Sequence, residues 1–575
     1  MVLSKVKRGD NTYLYIIKKV RINGKCSSKV IENCGNLKDL QKQYDDPIAY
    51  FSERAKRLTL EDKEENSSTF LAGFKRQKLS DEKEVLLNGG YFFLRKIYNA
   101  LHLDYLTKKI ASDYKIQYDL NKILQDLIFS RIIFPGSKRS SYEDSQSFIE
   151  KGDYELHDVY RALSVLNEWF DKIQSFVYEQ SKRIVKRNTQ ILYFDCTNFF
   201  FEIEQEDDLR KNGISKEHRP NPIVQMGLFM DGNGLPLAID INPGNTNEQI
   251  TLRPFETKVI KDFKLSKFIV CTDAGLASYS NRQFNDIGDR SFIVTQSIKK
   301  LRAYLQEWCL DKTNFTKSIL KGEDKIFFKS RFIKDDMNID SDTPLGKVTM
   351  TKEWKIVVTY SEKYAEYQRN LRENQIKRAK SLITNPTKFN KVNAQDCKRF
   401  IINLAFDSNG EIITKHKLIY NEEIAKEEEK YDGFYAISTN LDANEKDIVN
   451  INRQRWEIEE SFRIMKTDLK SRPVYVSLEE HINAHFLTCF LALLFVRICD
   501  VKLDHKFPTR EIITSLRKIQ YTDIDVGYMA SFKMTPCIQA LINEFQIGCD
   551  YNSYTPSQMR KMINESKNEM FTTSI

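Results

Sequence analysis

The sequence predicts an α/β protein: an α/β core preceded by a basic β-hairpin and a helical region, and interrupted by a β-rich insertion. Three observations carry that expectation. Apolar residues recur at mixed 3- and 4-residue spacings up to about residue 190, and from 191 onward they gather into short continuous runs. Two of those runs, at 191–194 and 268–271, are followed at once by Asp195 and, after Thr272, by Asp273. Beyond 300, strand-like and charged helical segments alternate before a helical pattern resumes near 446.

The chain has 575 residues. A single core rarely grows past roughly 250–300 residues, so several domains are expected. Charged residues make up 29%, which argues against a membrane protein. The most apolar run, 486–496, is shorter than the roughly 20 residues a span requires and reads as a buried helix. No signal peptide is expected, because residues 1–8 are polar and basic. The ten cysteines contain no C-x-x-C pair, which excludes ordinary zinc-ligand spacing and fits reduced thiols in the cytoplasm. The net charge of +9 permits an anionic partner without demanding one. It is concentrated at the N-terminus, where Lys5, Lys7, Arg8, Lys18, Lys19, Arg21, Lys25 and Lys29 face only Asp10 and Glu32. Such a stripe suits either a solvated terminus or a DNA-contacting arm.

Residues 12–34 read as a hairpin turning at Asn23-Gly24, within an N-terminal basic region over 1–60. The polar stretch 61–68 reads as a linker. Residues 80–190 read as helical, broken at Pro135-Gly136, with Trp169 in the core. The first part of the core, 191–299, then runs strand (191–194), strand (223–230), a tight turn at 231–234, strand (235–241), helix (250–260), strand (268–271), helix (280–286) and strand (291–295). Three meandering strands followed by helix, strand, helix, strand is the layout of a ribonuclease-H-like fold. The β-rich insertion spans 300–440, with strands at 325–332, 355–360 and 434–438 and a charged helix at 362–382. The second part of the core, 441–500, opens on a long helix from 446 to 470, and 501–575 reads as helical.

Asp195 and Asp273 end buried strands, and Glu459 lies on the long helix. Hard divalent cations about 3.5–4 Å apart need such a carboxylate cluster to clamp a phosphodiester. Arg455, Glu459 and Lys466 fall within roughly 40° of one helix face, whereas Glu460 lies about 140° from Arg455. A surface helix with an i,i+4 Arg–Glu pair gives the same spacing. Lys216, His218 and Arg219 are candidates for contacting a DNA backbone, with a solvated loop as the alternative. Asn245, Thr246 and Glu248 read as a turn and helix cap near the same edge. Trp308 and Trp354 read as core aromatics rather than base-stacking platforms. His481 and His485 stand at i,i+4 but lack a third ligand at zinc-site spacing.

The stretch Arg455-Trp456-Glu457-Ile458-Glu459-Glu460-Ser461-Phe462-Arg463-Ile464-Met465-Lys466 resembles the R-W-x-I-E-x-x-F-R-x-x-K signature of DDE-type transposases of bacterial insertion sequences, in particular the IS-four superfamily. In order along the chain, Tyr193-Phe194-Asp195-Cys196-Thr197, Gly213 to Pro220, Gly227-Leu228 with the 231–234 turn, Pro243-Gly244-Asn245-Thr246, Asp273-Ala274-Gly275 and Arg472-Pro473-Val474-Tyr475-Val476 resemble the same family. The resemblance covers roughly residues 10–500, and the ordered set is more specific than any one motif.

The resemblance implies a ribonuclease-H-like core with a β-rich insertion ahead of the glutamate helix. It implies Asp195, Asp273 and Glu459 as the catalytic, metal-holding triad for two Mg²⁺ or Mn²⁺ ions, with Arg455 and Lys466 on phosphates. The family usually carries a Tyr three residues before that Arg. Asn452 stands there in this chain, as a further DNA-contacting candidate, and leaves open how the second strand is cut. The implied activity is cleavage at transposon terminal inverted repeats and joining to target DNA, by a homodimer on paired ends, with the N-terminal basic hairpin and the helical DNA-binding region over 80–190 expected to read the repeats. The implied setting is the bacterial cytoplasm, associated with the nucleoid when DNA-bound. Two alternatives remain: a catalytically inert or repurposed DNA-binding protein, and a ribonuclease-H-like nuclease without strand transfer.

Overall fold

The apolar run that begins at Ile191 forms a ten-residue strand, β1 (Ile191–Phe200), around which a nine-stranded sheet is built. The structure is a computed structural model that describes residues 1–9, 11–22, 25–44, 46–68, 86–217, 219–315, 317–321, 324–340, 347–385, 395–406, 412–524 and 527–568. The remaining strands of the sheet are β2 (Ile223–Asp231), β3 (Pro236–Pro243), β4 (Ile269–Thr272), β5 (Ser291–Gln296), β6 (Lys317–Lys321), β7 (Asp324–Asp340), β8 (Lys347–Ser361) and β9 (Phe434–Thr439). Their order across the sheet is β6-β7-β8-β9-β5-β4-β1-β2-β3. β1, β4 and β5 pair in parallel, and every other pairing is antiparallel.

The sequence accounts for this arrangement. β2 is buried at every position, and its mostly apolar composition, interrupted by Gln225 and ending on Asp231, suits a strand covered on both faces. The turn from β2 into β3 is tight: Gly234 has φ +75° and its N–H donates to the Asp231 carbonyl at 3.0 Å. On one face of β1, Leu192, Phe194 and Cys196 pack with Phe229, Leu237, Leu252, Phe255 and Val259, the last three from helix α1 (Glu248–Phe263). Alternation along the strand sends Tyr193, Asp195 and Thr197 to the opposite face.

On that face the chain runs through α2 (Glu445–Arg453), α3 (Trp456–Arg463) and a π-helical turn at Ile464–Asp468. The continuous helix expected over 446–470 is therefore divided. The Tyr193 hydroxyl donates to the Ile451 carbonyl at 2.9 Å and to Gln454 Oε1 at 3.1 Å, drawing off a carbonyl of the last turn of α2. Three-residue hydrogen bonds from the N–H groups of Arg455, Glu457 and Ile458 then carry the chain into α3.

Helix α4 (Glu479–Lys502) extends past the apolar run at both ends. By length and composition it could cross a membrane, yet it is buried, packing on the helices Leu120–Ile133 and Leu156–Glu168 and on β3. Within 300–440, β6 to β9 continue the core sheet, with Trp354 on β8 buried against Phe292 of β5, whereas Ile401–Phe406 and Ile412–Tyr420 pair as a separate two-stranded sheet.

By internal contacts the chain divides into two units. One comprises Met1–Leu87, Tyr521–Ser531 and Tyr551–Met562, and the other the rest. In the first, the strands Val2–Arg8, Asn11–Ile22 and Lys25–Asn36 form an antiparallel sheet, with Leu14, Leu40 and Phe51 at its core. The turn expected at Asn23-Gly24 lies outside the described residues. The stretch expected as a linker, 61–68, is the end of the helix Pro47–Ser68, because nothing in it breaks a helix already running. Trp169 is half-buried rather than core: the Lys172 ammonium covers its ring at 4.5 Å.

Candidate active site

The parallel pairing of β1 and β4 matches Ile191 to Ile269, Leu192 to Val270 and Tyr193 to Cys271. Asp195 follows that pairing by two residues within β1, and Asp273 is the first residue beyond β4, the N-cap of the short turn after it. Alternation turns Asp195 toward the face that carries α2 and α3, and the charges of Asp195 and Asp273 both act on Arg455, which lies between those helices. Asp195 Oδ1 accepts from the Cys196 N–H at 2.8 Å. Asp273 Oδ1 accepts from the N–H groups of Gly275 and Leu276 at 2.9 and 3.1 Å, which caps the short turn after β4.

Burial pushes the Asp195 carboxyl up to about 6; Asp273 adds to the shift, while Lys216, the Cys196 N–H and Arg455 oppose it. Arg455 joins the third carboxylate to this pair. Its guanidinium lies 3.3 Å from Glu459 Oε1. Burial lowers its pKa, but Tyr435, Glu459, Asp195 and Asp273 together outweigh burial and hold it above the ordinary value. One guanidinium thus feels all three carboxylates. Glu459 itself is 59% exposed and lines a cleft of about 360 Å³ with Asn452, Arg455, Trp456, Tyr364 and Tyr435.

Cations line the far side of Asp195. Lys466, in the π-helical turn, donates to Thr197 Oγ1 at 2.7 Å and lies 3.6 Å from Glu217. Burial, then the charge of Lys216, lowers its pKa to about 8, against the pull of Asp195. Lys216 donates to the Cys196 carbonyl and pairs with Glu248 at 3.2 Å. Glu217 also pairs with Arg472. Arg219 lies with its guanidinium 4.0 Å from the centre of the Phe200 ring, and His218 lies outside the described residues.

Asn452 is buried, and its amide is spent within the protein: Nδ2 donates to the Tyr435 hydroxyl at 3.2 Å and Oδ1 faces Cys271 Sγ at 3.8 Å. The N-cap of α1 is Asn247, one residue beyond the expected Asn245 and Thr246. His481 contacts Ser164 and Glu480, and His485 is buried against the Ser471 carbonyl. Trp308 packs partly buried against the inserted strands' core. Tyr435 has no signal in the sequence as a site neighbour; Glu217 and Arg472 fall within family-like motifs, but nothing in those motifs marks them as partners of Lys466 and of each other. Thr197 has such a signal, since alternation places it beside Asp195.

A donor set of three carboxylates consists of hard oxygens, which suits Mg²⁺ or Mn²⁺. The two aspartates fit such an ion: the charge of Asp273 reaches Asp195 and is part of what raises it. Glu459 is engaged with Arg455 instead. Among the described residues, no three carboxylate, imidazole or thiol groups are gathered closely enough to hold a metal ion.

A family model described as "Transposase DDE domain" matches residues 200–495. That range contains Asp273, Glu459 and Lys466 and begins five residues after Asp195. No curated protein matches the chain by sequence. Among solved structures, the chain is similar to a piggyBac transposase synaptic complex with hairpin DNA, at 9% identity over 84% of each chain and a TM-score of 0.34. It is also similar to a Mos1 transposase paired-end complex with the left transposon end, at 12% identity over 42% of this chain and 66% of that one, with a TM-score of 0.13. Neither superposition is close enough to define this fold or its site.

Proposed function

The chain belongs to the transposase DDE domain family, and from that premise we propose that it cleaves the ends of a transposable DNA element and joins them to target DNA. The observation that supports the reading is that the charges of Asp195, Asp273 and Glu459 all act on the guanidinium of Arg455, which pairs with Glu459. Asp195, Asp273 and Glu459 would hold two Mg²⁺ or Mn²⁺ ions on a ribonuclease-H-like core. Bound there, such ions acidify an attacking water or 3′-hydroxyl and stabilise the leaving oxygen.

The chain's own groups supply position and charge. Arg455 pairs with Glu459 and offers a guanidinium to a phosphate once Glu459 is released from it. Lys466, fixed by Thr197, and Lys216, fixed by the Cys196 carbonyl, flank Asp195 with positive charge that a DNA backbone would meet. Water attacks the phosphodiester at the element end, and the freed 3′-hydroxyl then attacks target DNA in line. Double-stranded DNA, as terminal inverted repeats and as target, is the partner, and a homodimer brings two ends together.

The test uses labelled DNA from either side of the gene, a target plasmid and Mg²⁺, with Asp195→Ala as control. Joined products that depend on Asp195 are expected. Nicking without joining indicates a nuclease, and binding with no Asp195-dependent product indicates a non-catalytic DNA-binding protein; either overturns the proposal.

A further inference from the structure

The largest fully buried charged side chain is that of Arg131, 1% exposed, on the helix Leu120–Ile133. Lys138, 2% exposed, opens the next helix, Lys138–Ser145, which also carries buried Ser141. His485 and Cys489, one turn apart on α4, complete the cluster, with Cys489 Sγ 3.7 Å from His485 Nε2. Only one nitrogen of Arg131 is used: Nη1 donates to the carbonyls of Leu469 and Lys470 at 3.4 and 3.2 Å. Arg131 Nε, Arg131 Nη2, Lys138 Nζ and Ser141 Oγ are all closed to solvent and have no hydrogen-bond partner.

Several other deeply buried cations face a carboxylate, and Lys96 and Lys329 donate to backbone carbonyls. Arg187 meets Asp231 at 2.6 Å, Arg372 meets Asp432 at 2.5 Å and Lys355 meets Glu445 at 2.9 Å. The Arg131–Lys138 pair has no such relief. The charges acting on Lys138 are Arg131, which repels it, and Cys489. Burial favours the neutral thiol at Cys489, and burial together with Lys138 and Arg131 favours the neutral ring at His485. No carboxylate acts on Lys138, His485 or Cys489. Two enclosed cations and four unused donor atoms lack both a counter-charge and an acceptor, a combination that folded proteins avoid.

We propose that Arg131, Lys138 and Ser141 bind a small inorganic anion inside the protein. A guanidinium edge, an ammonium and a hydroxyl match either a halide or a tetrahedral oxyanion, and both would satisfy the same donors. The site lies behind Leu469 and Lys470, which directly follow the π-helical turn bearing Lys466. The bound anion therefore clamps two helices of the N-terminal half to the segment that presents Lys466. The inference does not depend on what reaction the protein performs.

The experiment is the unfolding midpoint of the DNA-free full chain in sodium chloride, sodium phosphate and sodium gluconate at matched ionic strength. Chloride or phosphate is expected to raise the midpoint saturably over gluconate, by on the order of 2 °C. The more effective of the two distinguishes halide from oxyanion. Lys138→Met is expected to abolish the difference. Equal midpoints in all three salts overturn the proposal and leave Lys138 as a neutral amine. A difference that survives Lys138→Met also overturns it, because the anion then binds elsewhere. If Lys138→Met does not fold, Ser141→Ala replaces it: a several-fold higher half-saturating concentration supports the site, and an unchanged one overturns it.

Discussion

The side-chain amide of Asn452 donates to the hydroxyl of Tyr435 at 3.2 Å, so a residue of β9 holds the helix residue three positions before Arg455. The same hydroxyl contacts Thr295 on β5 and contributes to the field on Arg455. The phenol beside Arg455 thus comes from a neighbouring strand, and Asn452 anchors it. Tyr435→Phe leaves a buried amide without its acceptor, at an expected cost of about 1–3 kcal/mol. Urea denaturation of Tyr435→Phe, Asn452→Leu and the double variant checks this. The two effects should be clearly non-additive, and strict additivity would deny the coupling.

Glu256 on α1 is 0% exposed, and burial pushes its carboxyl up to about 7 from 4.5, against the opposing hydrogen bond from Asn285 and the charge of Arg290. The folded state therefore holds a proton that the unfolded chain releases earlier. Its contribution is fully present below pH about 4.5, is lost as pH rises through 7, and is constant above that. The shift corresponds to about 3 kcal/mol as an order of magnitude. Glu256→Gln keeps an acceptor for Asn285 and should flatten the stability profile between those pH values. An unchanged slope in chemical denaturation across that window would count against the assignment.

Arg187 and Asp231 form an ion pair at 2.6 Å with 3% and 0% of their side chains exposed. Asp231 Oδ1 also organises the β2–β3 turn by accepting from the Asn233 and Leu235 N–H groups. Arg187→Met strands the carboxylate and should destabilise by about 3–5 kcal/mol. Arg187→Met combined with Asp231→Asn should recover part of that loss, which unfolding midpoints will measure.

Lys466 titrates at about 8 in the free protein, so its ammonium is lost as pH rises through that value. If it meets a phosphate, Lys466→Met should reduce the slope of log affinity against log salt by about one. It should also remove a fall in DNA affinity between pH 7 and 9. Binding isotherms at several salt concentrations give both quantities, and an unchanged slope and pH profile would remove Lys466 from the DNA interface.

The sequence made the two aspartates legible because each follows an apolar run whose only accommodation is a covered strand. The residues that escaped notice meet across long stretches of chain. Nothing near Asn452 announces Tyr435, whose strand reaches it only by pairing with β5. The break at Gln454 is imposed by Tyr193, a residue more than two hundred positions away, so helical spacing alone ran through it. Glu217 lies in an irregular loop, and its partners Lys466 and Arg472 come from the far end of the core. Trp169 misled because a large aromatic at helical spacing reads as core, whereas a lysine covers its open face.

The pairing of β9 with β5, Thr295 against Ile437 and Val294 against Ser438, sets where the chain stands when it enters α2. Everything threaded between those two strands leaves and returns at one fixed edge. The position of Glu459 is thereby decoupled from the amount of chain inserted before it. The pairing of β7 with β8 runs on to Asp340 and Lys347, beyond the Lys355–Tyr360 stretch that pairs with β9. A variant whose two strands are shortened at that end should keep its aspartates and glutamate in register.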